Sequence, residues 1–224
     1  MRLFLTGGHG EIGAAIRVRF EAEGYEVVAP RSRELDLSDP AAIPAFLAAH
    51  AGGFDVFVHC AGFNTPKPLA DVPVEELERS FRVHALSFVR ICQLLAPGFA
   101  ARGGGRVLAI SSIYGVISRE KRLAYSTSKH ALVGAVQSLA LELGPRGVLV
   151  NALSPGFIDT ALTRRNNDEA TIRTLAAATA LRRLGTPADM AEVALFLCSP
   201  ANRYVTGQDV VADGGYTAGA FQPG

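Results

Sequence analysis

The chain has 224 residues, 49% of them hydrophobic, and its 22 lysines and arginines against 21 aspartates and glutamates leave a formal net charge of +1. That length supports one sizeable core and is short for two domains, so a single domain over residues 1–224 is expected. The balanced charge argues against recruitment of nucleic acid or an acidic membrane surface and favours a small or mixed-charge partner.

At the start, "MRLFLTGG" holds an apolar run of three residues before glycine, far short of a signal sequence or a membrane span. A soluble, cytoplasmic protein is the expectation. Residues 2–6 ("RLFLT") read as a strand ending at glycines, after which Ile12, Ile16 and Phe20 recur at helical spacing until Gly24. "YEVVA" (25–29) is a second strand, and Ser38-Asp39-Pro40 predicts a cap with proline at the first helical position before an alanine-rich helix to about His50. "FDVFVHCAG" (54–62) reads as a buried third strand, followed by helical pattern from about Val74 to Ala101. Strand 105–112, helix 125–143, strand 148–154, helix 188–198 and a last strand over 207–215 complete the chain.

Strands that are continuous Val/Ile/Leu runs alternating with helices imply an α/β fold. The expectation is one doubly wound, Rossmann-type domain, its central, mostly parallel sheet flanked by helices on both faces. One gap departs from a regular winding: "PRSRELDLSD", between Ala29 and Pro40, is too short for a crossover helix and another parallel strand, so any strand near Leu35 must be short or irregular. Cys60, Cys92 and Cys198 are odd in number, widely spaced and set in apolar stretches, which predicts reduced, buried thiols and no metal.

"TGGHGEIG" spaces Gly7, Gly10 and Gly13 three apart where the first strand meets the first helix. Free amides and the helix dipole make such a turn a site for a pyrophosphate, with Thr6, Glu11 and Ile12 as flanking candidates. Glycine is also common here, at 23 residues, and a tight strand-to-helix turn needs it without any ligand. At the end of the second strand stand Arg31, Ser32 and Arg33 rather than an acid. Guanidinium groups suit a ribose 2′-phosphate, so NADP is preferred over NAD, while Glu34 and Asp36, about 20 residues past the last glycine, are the alternative ribose acids that would select NAD. A solvated turn is the plain alternative for the two arginines.

"AYSTSKHALVG" (124–134) sets Tyr125 and Lys129 at i and i+4 on one helix face, in a chain with three lysines. An ammonium beside a phenol favours phenolate, so the tyrosine pKa is expected to fall from about 10 toward neutrality. Such a phenol can give a proton to a carbonyl oxygen or take one from an alcohol. Ser112, at the end of the strand before, is placed to hydrogen-bond the same oxygen, although serines there often only satisfy backbone groups.

These residues, with "HCAG" (59–62), "ISS" (110–112), "NALSPGFIDT" (151–160) and the closing "RRLGTPADMAEVALFLCSPANRYVTGQDVVADGGY", resemble the short-chain dehydrogenase/reductase family over nearly the whole chain, the ending being similar to its oxoacyl-reductase-like branch. The resemblance implies catalytic roles for Ser112, Tyr125 and Lys129, the last two also facing the cofactor. It implies that Asp36 and Leu37 contact the adenine, a role that competes with Asp36 as ribose acid. It further implies that Cys60, Ala61 and Gly62 line the cofactor and that Pro155, Gly156, Ile158 and Thr160 approach the nicotinamide carboxamide.

Four departures stand out. Glu11 occupies a usual glycine position, a pattern closer to the family's extended members, whose additional C-terminal substrate region finds no room here. His59 replaces an asparagine, and His84 stands where the family has an asparagine that holds a water for the lysine's proton relay. An imidazole can also donate and accept, so His84 is a candidate for catalysis, a satisfied core histidine being the alternative. Lastly, the segment after Arg33 lacks the usual helix. His9, His50 and His130 are expected to be structural or solvated.

Substrate choice should lie in loops 63–73, 113–123 and 157–184. Phe63, Ile113, Tyr114, Val116, Phe157 and Leu162 are expected to form an apolar wall, and Arg119, Lys121 and Arg122 either meet an anionic or carrier-linked substrate or are solvated. The reading is therefore an NAD(P)-dependent oxidoreductase acting on a small-molecule ketone or secondary alcohol. A non-catalytic nucleotide-binding regulator and an epimerase or dehydratase are the alternatives. Family resemblance also implies a homodimer or homotetramer joined through helices 74–101 and 125–143.

Overall fold

The computed structural model describes residues 1–50 and 52–219. Its strands are β1 (Arg2–Thr6), β2 (Glu26–Val28), β3 (Val56–His59), β4 (Gly105–Ile110), β5 (Val148–Pro155) and β6 (Asp209–Ala212). They form one sheet in the order β2-β1-β3-β4-β5-β6 with every neighbouring pair parallel. Residues 51 and 220–224 of the expected 1–224 domain lie outside the described residues.

Leu3, Phe4 and Leu5 of β1 are all fully buried because alternate side chains go to opposite faces and both faces are covered. Phe4 pairs in register with Phe57, their ring centroids 5.4 Å apart, and this face packs on α2 (Ala42–Ala48), α4 (Ser87–Ala101) and α5 (Leu123–Leu143). Leu3, Leu5, Val56 and Val58 point the other way, against α1 (Glu11–Ala22) and α8 (Pro187–Cys198). Burial on both faces is why the strands are apolar without alternation.

Several boundaries differ from expectation. No strand forms near Leu35; instead Leu35 and Leu37 are pinned in the core beside Phe4, with one turn closing before Leu35 and another opening at Asp36. The helix expected at Pro40 begins at Ala42, because the Asp39 carboxylate accepts from the Ala41 amide at 2.9 Å and closes a turn before the helix. β3 ends at His59, the Cys60 amide still donating to the Thr6 carbonyl of β1 at 3.1 Å before Ala61 and Gly62 leave the ladder, and β4 ends at Ile110, which releases Ser112 into a turn.

The long helical stretch is interrupted: α3 (Val74–Phe81) passes through a π turn (Arg82–Leu86) before α4. Residues Val74–Ala101 are long and apolar enough to cross a membrane by length and composition, but half of that apolar window is buried inside the fold, as in a core helix. Helices α6 (Ala161–Asn166) and α7 (Glu169–Ala177) fall inside what the sequence presented as a loop. Their signals are side-chain caps, Thr160 accepting from the Thr163 amide and Asp168 from the Thr171 amide, and α7 has no buried residue that would create a helical period. Cys92 and Cys198 are buried as expected; Cys60 is only partly so.

Candidate active site

Because β2 lies on one side of β1 and β3 on the other, the two connections diverge and open a crevice at the strands' carboxyl ends. The glycine turn sits at that point. Gly7 has φ +71°, and a Cβ on it would lie 2.6 Å from the Ala61 amide nitrogen, so glycine lets the turn pack on the chain leaving β3. A Cβ on Gly13 would stand 2.2 Å from the Gly7 carbonyl oxygen, where helix meets turn. Gly10 is different: a Cβ there would meet only that same oxygen, at 3.6 Å, so its outer side is open. It caps α1 without any side-chain hydrogen bond, which leaves helix-end amides for an anion. These residues fit the pyrophosphate of a dinucleotide.

Of the flanking candidates, Thr6 turns its hydroxyl to His59 Nδ1 at 2.9 Å, and Ile12 packs against the core on the α1 side. Glu11 sends its carboxylate across the crevice to accept from the Ala161 amide. Arg31, Ser32 and Arg33 are exposed just past β2, the Arg31 amide donating to the Glu34 carboxylate at 2.8 Å. Glu34 is thereby occupied in its own turn. Asp36 accepts from the Ser38 hydroxyl and amide at 2.7 and 2.9 Å, which holds its carboxyl below the ordinary range. In the expected adenine pair, the Leu37 side chain is in the core, which leaves its backbone for any ligand contact, while Asp36 presents its side chain outward. His9 meets the Ala29 carbonyl at 3.0 Å, His50 that of Phe46 at 2.7 Å and His130 that of Ser126 at 2.9 Å.

At the other end, β4 and α5 bring Ser112, Tyr125 and Lys129 together. Lys129 is 3% exposed; its Nζ donates to the Ile110 carbonyl at 2.8 Å and lies 5.6 Å from the Tyr125 ring centroid. Burial lowers its pKa to about 8. Burial also raises the Tyr125 phenol to about 12, against a hydrogen bond from Ser112 that works downward. The expected lowering of Tyr125 is therefore reversed. The ammonium stands over the ring and aims at the Ile110 carbonyl, so desolvation of the phenolate dominates. Ser112 also accepts from the Tyr114 amide at 3.2 Å, so its oxygen is held at the mouth of β4.

Cys60 to Gly62 pass directly beside this group: a Cβ on Gly62 would lie 3.2 Å from His84 Nε2 and 3.6 Å from Lys129 Nζ. Burial raises the Cys60 thiol to about 11, which keeps it protonated. Pro155 ends β5, and Gly156 packs against Asp213, where a Cβ would meet the Asp213 Cα at 2.6 Å. Ile158 turns its side chain into the core, leaving its backbone for any ligand contact, and Thr160 caps α6. The expected apolar wall is smaller than drawn: Ile113 and Tyr114 are buried, while Phe63 and Phe157 are half-buried and Val116 and Leu162 exposed. Arg122 covers the Tyr114 ring at 5.7 Å, and the Lys67 amide donates to the Lys121 carbonyl at 3.2 Å, tying loop 63–73 to loop 113–123.

His84 is fully buried, with Nδ1 2.8 Å from the Ser128 hydroxyl and Nε2 3.1 Å from the Phe63 amide. His59, also fully buried, joins Thr6 to the Val83 carbonyl, 3.1 Å from its Nε2. Burial depresses these rings to about 2 for His84 and about 3 for His59. Two participants were missed from the sequence. Ser128 shares the Tyr125 face at i+3, a spacing that was available to find it. Arg79, stacked 4.5 Å over the Phe63 ring, left no local signal.

Comparison with known proteins agrees with this fold. The sequence model of a family described as enoyl-(acyl carrier protein) reductase matches residues 13–217. The 3-oxoacyl-[acyl-carrier-protein] reductase FabG of Vibrio cholerae is 30% identical over 232 residues, covering 94% of this chain and 95% of that protein. The 7alpha-hydroxysteroid dehydrogenase of Escherichia coli K12 is 34% identical over 174 residues, covering 78% of this chain and 68% of the other. Among solved structures, a 4-hydroxyisoleucine dehydrogenase mutant complexed with NADH and succinate superposes with a TM-score of 0.92 at 26% identity, covering 99% of this chain and 100% of that one.

Proposed function

The chain belongs to the short-chain dehydrogenase/reductase family, and on that premise we propose that it is an NADP-preferring oxidoreductase acting on a ketone or secondary alcohol, with Tyr125 as general acid and base. The observation that carries this reading is the meeting of Ser112, Tyr125 and Lys129 beside Gly62, at the end of a crevice whose other end is the open face of Gly10. A bound nicotinamide cofactor supplies or accepts the hydride.

The chain's own residues do the rest. Ser112 holds the substrate oxygen at the mouth of β4. Tyr125, its phenol raised to about 12, is protonated at neutral pH and gives its proton to that oxygen during reduction; in the reverse direction the phenol first releases its proton, neutral Lys129 being the adjacent acceptor, and the phenolate then takes the proton from the alcohol. Lys129, brought down to about 8, exchanges protons near neutral pH beside it. Phe63, Phe157, Val116 and Leu162 offer the substrate an apolar surface. Arg31 and Arg33, exposed past β2, support the NADP preference, since guanidinium groups match a 2′-phosphate. Exposed Leu86 in the π turn and Leu141 on α5 support assembly of like chains through those helices.

The test is titration of purified protein with NADPH and NADH, followed by nicotinamide absorbance with a panel of ketones, diketones and acyl thioesters. Tight NADPH binding and its oxidation by one carbonyl class is the expected result. Higher catalytic efficiency with NADH overturns the cofactor preference, and binding without turnover of any carbonyl favours the non-catalytic regulator.

A further inference from the structure

The two buried histidines are linked through consecutive residues of the π turn. Their partners leave one consistent placement of protons. At His59, the Val83 carbonyl requires a proton on Nε2, and Nδ1 then accepts from the Thr6 hydroxyl. At His84 the assignment is the opposite: the Phe63 amide donates to Nε2, so the ring proton is on Nδ1 and points at Ser128. The Ser128 hydroxyl donates onward to the Tyr125 carbonyl at 2.8 Å. Each group donates to the next, from Thr6 to Val83 and from His84 to Tyr125. The π turn makes this possible, since it frees the Val83 carbonyl, which also accepts from the Ser87 hydroxyl at 2.7 Å.

The His84 ring also packs against the catalytic group. It meets the Tyr125 ring edge-on, centroids 5.6 Å apart at 85°, and the Phe63 ring at 5.1 Å on its other side. We infer that His59 and His84 form a permanently neutral brace that positions Tyr125, and that His84 acts on the reaction through this placement rather than by carrying a proton. The inference about catalysis rests on Tyr125 being the acid and base.

A relay imidazole takes a proton on one nitrogen as it releases one from the other. Here the Nε2 lone pair is filled by the Phe63 amide, so protonation there breaks that bond. The titratable groups facing the ring are Lys129 and Tyr125 from α5 and His59 from β3; Lys129 and His59 both oppose a second positive charge. Gly62 closes the same side: a Cβ there would stand 3.2 Å from Nε2, close enough that the ring would have to give way slightly.

The experiment is nitrogen-15 NMR of the imidazoles in the full chain, assigned with His84→Asn and His59→Gln, together with steady-state kinetics using NADPH and the panel carbonyl that turns over. The expected spectra show both rings neutral from pH 8 to 5, His84 protonated at Nδ1 and His59 at Nε2. His84→Asn should lower kcat about 10- to 100-fold with the cofactor KM within about twofold, and its pH-rate profile should keep the wild-type inflections. Ser128→Ala, which leaves both rings in place, should lower kcat in the same sense. The double variant should be no worse than His84→Asn alone. A His84 ring that titrates between pH 5 and 8, a proton found on its Nε2, a profile inflection lost in His84→Asn, or unchanged kcat in Ser128→Ala would each overturn the proposal. The NMR result does not depend on turnover, so failure of the brace and failure of the proposed activity are separable.

Discussion

The Glu11 carboxylate accepts a hydrogen bond from the Ala161 amide at 2.8 Å, joining the first turn of α1 to the first residue of α6 across 150 residues of sequence. An acid therefore stands at the helix end that would receive a pyrophosphate, and it holds the segment that follows β5.

Its charge and its hydrogen bond can be separated. Glu11→Gln keeps an acceptor oxygen for Ala161 and removes the negative charge, so NADPH should bind about 3- to 10-fold more tightly, the size of one screened charge at a helix end. Calorimetry at low salt measures this. Weaker binding by the glutamine variant would show that the carboxylate helps the cofactor rather than opposing it.

The glycines should divide by role. Gly13→Ala puts a Cβ 2.2 Å from the Gly7 carbonyl and should cost about 1–3 kcal/mol of stability by overpacking. Gly10→Ala, in open space at φ −76°, should leave stability within about 1 kcal/mol but weaken NADPH binding about tenfold or more. Denaturant melts and titrations of both variants check this. Equal destabilisation of the two would remove the distinction.

Tyr125→Phe removes only the phenolic hydroxyl. It should lower kcat at least about 100-fold while NADPH binding stays within about twofold, as expected when a proton donor is lost and the cofactor's contacts are kept. Retained turnover would take Tyr125 out of its role.

Acid stability follows from the buried imidazoles. A histidine in the unfolded chain binds its proton near pH 6.5, whereas burial holds the folded His59 to about 3 and His84 to about 2. Between those limits the unfolded state binds protons that the folded state refuses. Stability is thus whole above pH 6.5 and falls as pH drops below it, by up to about 1.4 kcal/mol per pH unit for each ring. At pH 5 the two together should cost about 4 kcal/mol, a large share of an ordinary domain's stability. Urea melts at pH 7 and 5 measure the loss, and His59→Gln should show about half the histidine-dependent drop. An equal drop in that variant would assign the effect elsewhere.

Much of the architecture was legible because each signal is local to one element. Apolar runs such as 2–6 and 148–154 mark strands buried on both sides, and the period of Ile12, Ile16 and Phe20 marks α1. Where burial imposes no period, as in α7, only the cap remained and the helix was missed. By sequence the segment around Leu35 holds at most a short or irregular strand; core burial, not a ladder, keeps Leu35 and Leu37 apolar.

The candidate site divides along the same line. Spacing along single segments was enough to pick out Gly7, Gly10 and Gly13 in one turn and Tyr125 with Lys129 on one helix face, since these relations depend only on backbone geometry between near neighbours. The direction of the Tyr125 shift, the inward turn of Leu37 and Ile158, the reach of Glu11 to Ala161 and the partners of both histidines were decided by tertiary structure alone. Each depends on desolvation or on a hydrogen bond between groups far apart in sequence, and neither exists until the sheet and its helices have closed around them.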